Sequence, residues 1–283
     1  MKFRRDLLIP VLLANVVVWS VVFAEDRAGL LTVAFLDIGQ GDSIFIEAPN
    51  GNQVLIDGGI GRQVLRQLGQ FMSAYDRSLD LVVATHPDAD HIGGLIDVLE
   101  RFQVAGFMDP GRSSDTLTYA RLEELVVAEG AERLLARRGL RLWLDEQIFI
   151  DVLFPDREMP GNDTNSSSIV LKLRDGENTF LLTGDAPQAI ENYLVNLDGD
   201  ALQSDVLKAG HHGSKTSSGR AFVATIKPNH AVISAGAGNR YGHPHEEALL
   251  ILKEFAGQIW RTDEQGAVVF KSDGTSLAIT TER

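Results

Sequence analysis

From residue 31 onward, short apolar runs alternate with turn residues. LTVAFLD (31–37), SIFIEA (43–48) and QVLID (53–57) read as three strands, with turns at 39–42 and 49–52. Apolar residues recur at helical spacing over 61–75, and DLVVAT (80–85) is a fourth strand. A helix is expected over 92–102, a short strand over 103–109 and another helix over 117–128. RLWL and QIFIDVLF are strands, and IVLKL and TFLLTG form a hairpin around Asp175-Gly176. Helices are expected over 187–195, near 219–226 and over 246–255, among the late strands SDVLKA, HAVISA, QIWRT, AVVFKS and SLAIT. This order of strands and helices predicts an α/β fold of two stacked sheets with helices outside, a four-layer αββα sandwich.

Polar clusters follow the strand ends at Asp57, His86, Asp185 and His211. Strand ends along one edge of stacked sheets can assemble a site from distant sequence. In THPDADHIGG (85–94), His86, Asp88, Asp90 and His91 fall in a turn after a buried strand, and Gly93-Gly94 lets the chain turn tightly into a helix. Such side chains are costly to bury unless paired or bound. In such a turn alternate residues face different cavities, so the four could address two adjacent metal ions. Asp88 or Asp90 could instead cap the following helix. LLTGD ends in Asp185, and LKAGHHGSKTSS carries His211 and His212. Six of the seven histidines lie in these clusters or in NRYGHPHEE, which holds His243 and His245; His230, at a strand start, reads as structural.

The chain has 283 residues, 44% hydrophobic and 23% charged, which is ordinary for a globular protein with ample length for a core. A net charge of −13 argues against nucleic-acid binding through the whole surface, but not against a local site where metal supplies positive charge. With no cysteine, transition-metal ligands must come from His, Asp, Glu or Asn.

Residues 1–25 stand apart: basic MKFRRD precedes the apolar run LLIPVLLANVVVWSVVFA. That run is about long enough to span a bilayer. Val22-Phe23-Ala24 resembles a signal-peptidase site. A buried core helix is the bland alternative. The expectation is an uncleaved single-pass anchor in the cytoplasmic membrane, with residues 26–283 as one hydrolase-like domain outside it. A cleaved signal and a secreted or periplasmic domain is the alternative.

FLDIGQGDS, VLIDGG, THPDADHIGG, NDTNSSSIVLKL, FLLTGD, LKAGHHGSKTS and NRYGHPHEE occur in this order across residues 31–261. Together they resemble the metallo-β-lactamase superfamily, and within it the extracellular domain of ComEC-type DNA-uptake proteins. The many membrane helices of that family's channel part are absent. The set is also similar to the superfamily's phosphorylcholine esterases, which act on teichoic acid. The resemblance implies His86 and Asp88 at a first metal, Asp90 and His91 at a second, and Asp185 bridging both. It implies His211 completing the second site with His212 beside it, the order within that pair staying open. Asp57 matches an aspartate that braces the histidine loop, and Asp37 and Asp42 of FLDIGQGDS are grouped with it as supporting or substrate-contacting residues.

Two departures stand out. Asp88 takes a position where many members have histidine, and NDTNSSS replaces a further histidine, so that Asn165, Asn162 or water could fill the place. Both make the site richer in oxygen, which brings Mn²⁺ into contention with Zn²⁺. Two divalent ions, three aspartates and a hydroxide would sum to zero charge. Asp90, His212, His243 and His245 are candidates for the chemistry, the last two for protonating a leaving oxygen or for bracing their loop. Lys208, Lys215, Arg240, Ser214, Thr216 and Ser217 are candidates for holding a phosphate. The expected activity is metal-dependent phosphodiester hydrolysis with DNA as substrate. A phosphorylcholine or teichoic-acid ester is second, and β-lactams are disfavoured because the departures fall on ligand positions. The expectation from another class is a non-catalytic module guiding DNA to a separate channel protein.

Overall fold

A computed structural model describes residues 10, 13–16, 29–73, 75–161 and 163–283. Its first half runs β1 (Leu31–Phe35), β2 (Ile44–Glu47), β3 (Gln53–Ile56), α1 (Gln63–Phe71), β4 (Ser78–Val83), α2 (Ala89–Leu99), β5 (Gln103–Asp109), α3 (Leu117–Glu129) and β6 (Glu132–Leu135). Then come β7 (Arg141–Trp143), β8 (Ile148–Phe154), β9 (Val170–Asp175), β10 (Asn178–Leu182), α4 (Gln188–Asp198) and β11 (Val206–Lys208). The chain ends with α5 (Arg220–Ile226), β12 (His230–Ile233), α6 (Glu246–Phe255), β13 (Gln258–Arg261), β14 (Val268–Ser272) and β15 (Leu277–Thr281).

An eight-stranded sheet has the order β15-β14-β1-β2-β3-β4-β5-β6, and a seven-stranded sheet the order β13-β12-β11-β10-β9-β8-β7. Each is antiparallel on one side and parallel on the other. β3 to β6 are parallel in the first sheet, and β10 to β13 in the second. Between the sheets lies a core that includes Phe35, Phe180 and Phe270, with rings edge-on at 5.8–5.9 Å. Burying each such side chain contributes roughly 1.5–3 kcal/mol. α1, α2 and α3 cover the outer face of the first sheet, and α4, α5 and α6 that of the second. Two sheets flanked by helices are thus the observed architecture.

Most expected elements form within a few residues of their predicted limits. β6 escaped the pattern because ERLL is a mostly exposed edge strand without alternation. α2 starts at Ala89, three residues ahead of the expected 92. Asp90 and His91 therefore sit in a helical first turn rather than in the turn before it. His230 packs on Phe270 and faces Trp260, a structural role. The expected anchor, the adjoining signal-peptidase-like site and Asn162 lie outside the described residues, apart from Pro10 and residues 13–16, which are helical and exposed. Among the described residues no helix is long and apolar enough to cross a membrane.

Candidate metal centre

Parallel strands place their C-terminal ends side by side, and the site is built there from both sheets. β3 leads to Asp57, β4 to His86, β10 to Asp185, β11 to His211-His212 and β12 to Ser234. Ile56 and Val83 are register partners, which brings Asp57 beside Thr85. Asp57 adopts φ 58°, a conformation unfavourable for a side-chain-bearing residue.

Proton bookkeeping fixes the orientation of the imidazoles. The Asp57 carboxylate accepts from Thr85 N (2.8 Å), from the Thr85 hydroxyl (2.7 Å) and from His91 Nδ1 (2.8 Å). Because Thr85 Oγ1 spends its one proton on Asp57, it accepts from His86 Nδ1 at 3.1 Å. His212 Nδ1 donates to the Ser234 carbonyl at 3.0 Å, which can only accept. All three rings thus turn Nε2 toward one cavity, and all three Nε2 atoms are buried without a hydrogen-bond partner, as is Asp185 Oδ1. Buried polar atoms in native proteins rarely lack partners.

Asp185 Oδ2 is the hub. His91 Nε2 lies 3.3 Å from it, His212 Nε2 3.4 Å and His211 Nε2 3.6 Å, while Asp90 Oδ2 is 3.5 Å from His212 Nε2. These separations are long for charge-assisted hydrogen bonds. They match the edge of about 3.4 Å that ligands at ~2.1 Å make around a tetrahedral ion. The donor set of imidazole and carboxylate suits Zn²⁺ or Mn²⁺. The residues present therefore fit a divalent metal.

Electrostatics agree. Burial and the neighbouring His91 push His86 down to about 3, so it is neutral and free to bind. Burial opposes protonation of His91 and His212, but Asp185 outweighs it, with Asp57 at His91 and Asp42 at His212, and raises both well above the ordinary imidazole value. Burial likewise works against ionising Asp185, yet His212 and His91 hold it well below the usual range. A bound cation would replace those protons.

The sequence-predicted residues divide. His86, Asp90, His91, Asp185 and His212 converge. Asp88 holds the N-cap position of α2 but makes no capping bond; its Oδ2 lies 3.7 Å from His86 Nε2. Of the adjacent pair, His212 is buried and backed by main chain, whereas His211 is partly exposed with Nδ1 against Thr216 Oγ1 at 3.1 Å. Both Nε2 atoms of the pair approach Asp185 Oδ2, His212 at 3.4 Å and His211 at 3.6 Å, from successive left-handed residues (φ 50° and 55°), and only that of His212 is buried without a hydrogen-bond partner. Asn165 Oδ1 is buried without a partner in a loop that packs on Thr85, where Ile169 N donates to Thr85 O. It remains a candidate oxygen donor.

Other assignments change. Lys208 is not a phosphate contact: it is fully buried, paired with Asp42, and donates to Gly184 O at 2.9 Å beneath the site. Asp42, His91, Asp185 and His212 bring ligand-type atoms within 4.8 Å of one another. Asp42 reaches the rings from behind, however, 3.3 Å from His212 Nδ1 and 3.9 Å from His91 Nδ1, so it supports rather than binds. Asp37 faces away and pairs with Arg283 near the C-terminus. Ser217 is buried with its hydroxyl on Ala186 O, and Ser214 contacts Thr216 at 3.0 Å behind His211. His245 Nδ1 accepts from Lys215 N at 3.1 Å, a bracing contact. The His243 ring lies 5.5 Å from that of His211, with Nδ1 buried and unpartnered. Burial and the nearby His212 push it down to about 4.

Sequence reading missed several supports. Thr85 relays between Asp57 and His86, a role its place in the motif could have suggested. Ser234 acts through its carbonyl, which leaves no side-chain signal. Glu191 is buried and accepts from Ser218 N (2.6 Å) and Gly219 N (2.8 Å), holding the loop after His212; burial pushes its carboxyl up to about 7. Gly94 lets α2 dock on the Asp57 loop, since a Cβ there would meet Gly58 O at 2.0 Å.

Comparison with known proteins places this geometry. The sequence is 34% identical over 265 residues to ComE operon protein 3 of Bacillus subtilis (strain 168), covering 84% of this chain and 33% of that protein. It is 32% identical over 238 residues to competence protein ComA of Neisseria gonorrhoeae, covering 84% of this chain and 32% of the relative. The chain thus spans about a third of the length of these relatives, in line with the expected likeness to one domain of ComEC-type proteins. Among solved structures, the metallo hydrolase Igni18 of Ignicoccus hospitalis superposes with TM-score 0.55 at 15% identity, covering 84% of this chain and 98% of that one. At that identity the likeness concerns the fold. The pattern of the metallo-β-lactamase superfamily matches residues 36–237, and the chain belongs to that superfamily.

Proposed function

We propose that the chain is a metal-dependent phosphodiesterase that acts on DNA outside the cytoplasmic membrane. The carrying observation is the set of three buried imidazole Nε2 atoms, of His86, His91 and His212, each fixed from behind and none with a hydrogen-bond partner, two of which lie 3.3 and 3.4 Å from the Asp185 carboxylate. His86 and Asp88, with Asp185, would hold one divalent ion; Asp90, His91 and His212, with Asp185, would hold the second. When bound, the ions supply Lewis acidity, polarising a phosphoryl oxygen and making water acidic enough to attack near neutral pH. Asp90 is held ionised: burial opposes this, but the adjacent His212 and His91 outweigh it. It lies at the mouth of the site, where it orients the attacking water and takes its proton. His243 is neutral near pH 7, so it serves as a hydrogen-bond partner of a phosphoryl or leaving oxygen rather than as a charged acid. DNA as the substrate is supported by the likeness to competence protein ComA and ComE operon protein 3, together with the expected likeness to ComEC-type DNA-uptake proteins.

The test is to strip the protein with a chelator, restore Mn²⁺ or Zn²⁺, and follow hydrolysis of bis-p-nitrophenyl phosphate and of linear DNA. Metal-dependent turnover of both is expected, with Mn²⁺ at least as effective as Zn²⁺. Stoichiometric metal uptake with neither substrate cleaved would overturn the enzymatic reading and leave a binding module. Location is tested by protease added to intact spheroplasts, where release of the globular domain is expected and full protection would refute it.

A further inference from the structure

The rim of the site carries a feature the chemistry above does not use. Tyr241 is 47% exposed yet rigidly presented. Asn239 clamps its loop: Nδ2 donates to Gly236 O (2.9 Å) and His243 O (2.6 Å), while Oδ1 accepts from Tyr241 N (3.1 Å) and His243 N (3.0 Å). The Tyr241 ring stacks on His243 at 5.7 Å and 23°, and His243 stands 5.5 Å from His211 and 6.2 Å from His212. Arg240 leans on the same ring, 4.9 Å from its centre, and donates to the phenol oxygen at 2.8 Å. A planar phenol–guanidinium pair thus faces solvent within one ring of the metal centre.

The charge pattern shows what this surface attracts. On a chain of net charge −13, many exposed arginines are matched with carboxylates, such as Arg62 with Asp97, Arg141 with Asp151, Arg220 with Glu254 and Arg283 with Asp37, although Arg66 bonds only Gln63. Among the described residues, Arg240 and Lys215 have no such ion pair, and the His245–Lys215 bond ties their two loops together. Unpaired cations beside a metal site draw in an anion. A quaternary ammonium such as choline would meet like charge here, because Arg240 already occupies the cation–π position. An aromatic ring joined to phosphates carries the opposite charge and can stack on the guanidinium plane that Arg240 lays over Tyr241.

We propose that Tyr241 and Arg240 form a stacking platform for a nucleobase beside the metal centre, with Arg240 and Lys215 contacting the flanking phosphates. Bases within a duplex have both faces covered, so the platform takes an unpaired strand. The proposal rests on the reading that the site handles DNA phosphodiesters.

The experiment compares binding of a fluorescein-labelled oligothymidylate and of an abasic strand of equal length and charge, by anisotropy, to metal-free protein so that turnover does not intervene. The native protein should bind the thymidylate about tenfold more tightly than the abasic strand, a typical effect of losing base stacking. Tyr241→Ala should abolish that preference and Tyr241→Phe keep it. Arg240→Gln should weaken binding of both strands and reduce the salt dependence by about one phosphate contact. Equal binding of the two strands by the native protein, or a preference that survives in Tyr241→Ala, overturns the proposal. Hydrolysis of bis-p-nitrophenyl phosphate, read in parallel, separates the two ideas. A base preference without hydrolysis keeps the platform and removes the enzyme, and hydrolysis without a preference does the reverse.

Discussion

The Thr85–His91 segment and the Gly210–Gly213 segment both follow a parallel strand, and both deliver imidazole Nε2 atoms to the same carboxylate. They use different devices. In the first, side chains do the bracing: Asp57 holds His91 directly and His86 through Thr85. In the second, the main chain does it: left-handed backbone turns His212 inward and the Ser234 carbonyl fixes its tautomer. A side-chain relay can be removed by substitution and is visible in sequence. A main-chain relay is neither, and it makes two adjacent histidines unequal.

The largest effect is expected where the two segments meet. Asp185→Asn should lose at least one metal ion and lower activity by more than ~100-fold, beyond the range usual for outer-shell partners. Elemental analysis of the purified variant checks it, and unchanged metal content would remove Asp185 from the ligand set. Next comes the unequal pair. His212→Ala should lose metal together with activity, whereas His211→Ala should keep metal and lose about tenfold or less in rate, as a rim residue. Equal metal retention by the two variants would break the claim that backbone geometry sorts them.

Asp57→Asn probes the side-chain relay. Metal affinity should fall about 10–100-fold, read by competition with a chromophoric chelator, and native-like affinity would show that the relay is not what orients His86 and His91. Asp88→His should have a smaller effect, shifting the ratio of Zn²⁺- to Mn²⁺-supported activity toward Zn²⁺ by several-fold, because it adds a nitrogen donor to an oxygen-rich position. An unchanged ranking would contradict the ligand argument.

The smallest effect concerns pH. In the metal-free protein the folded-state values of His91 and His212 are raised, so their stabilisation is complete below the unfolded value of about 6.5 and fades as pH rises through the folded values. Metal needs both rings deprotonated, so its stabilisation grows with pH. The gap in thermal midpoint between metal-loaded and metal-free protein should therefore widen by a few degrees from about pH 6 to about pH 9. A constant gap would mean that binding displaces no protons from these rings.

Much of this was legible along the chain. Strands with apolar runs and Gly-bounded turns announced both sheets, since burial on two faces demands such runs. The His-Asp clusters stood out because polar groups directly after buried strands need partners. α2 could not be placed to the residue, because its first turn is made of ligand-type side chains rather than apolar ones. β6 gave no pattern because an exposed edge has none to give.

Sequence alone determined the layer architecture and the set of residues from which a metal site could be drawn, because hydrophobic pattern and chemical identity are carried along the chain itself, and the order of its motifs carried the resemblance to the family. Tertiary structure decided roles. It buried Lys208 under the site with Asp42 and sent Asp37 to Arg283. It also buried His212, left His211 partly exposed and set Tyr241 and Arg240 at the rim. Each of those outcomes depends on backbone torsion and on partners far away in sequence. A lysine or histidine reads the same in the chain whether its neighbour in space is a carboxylate, a carbonyl or water.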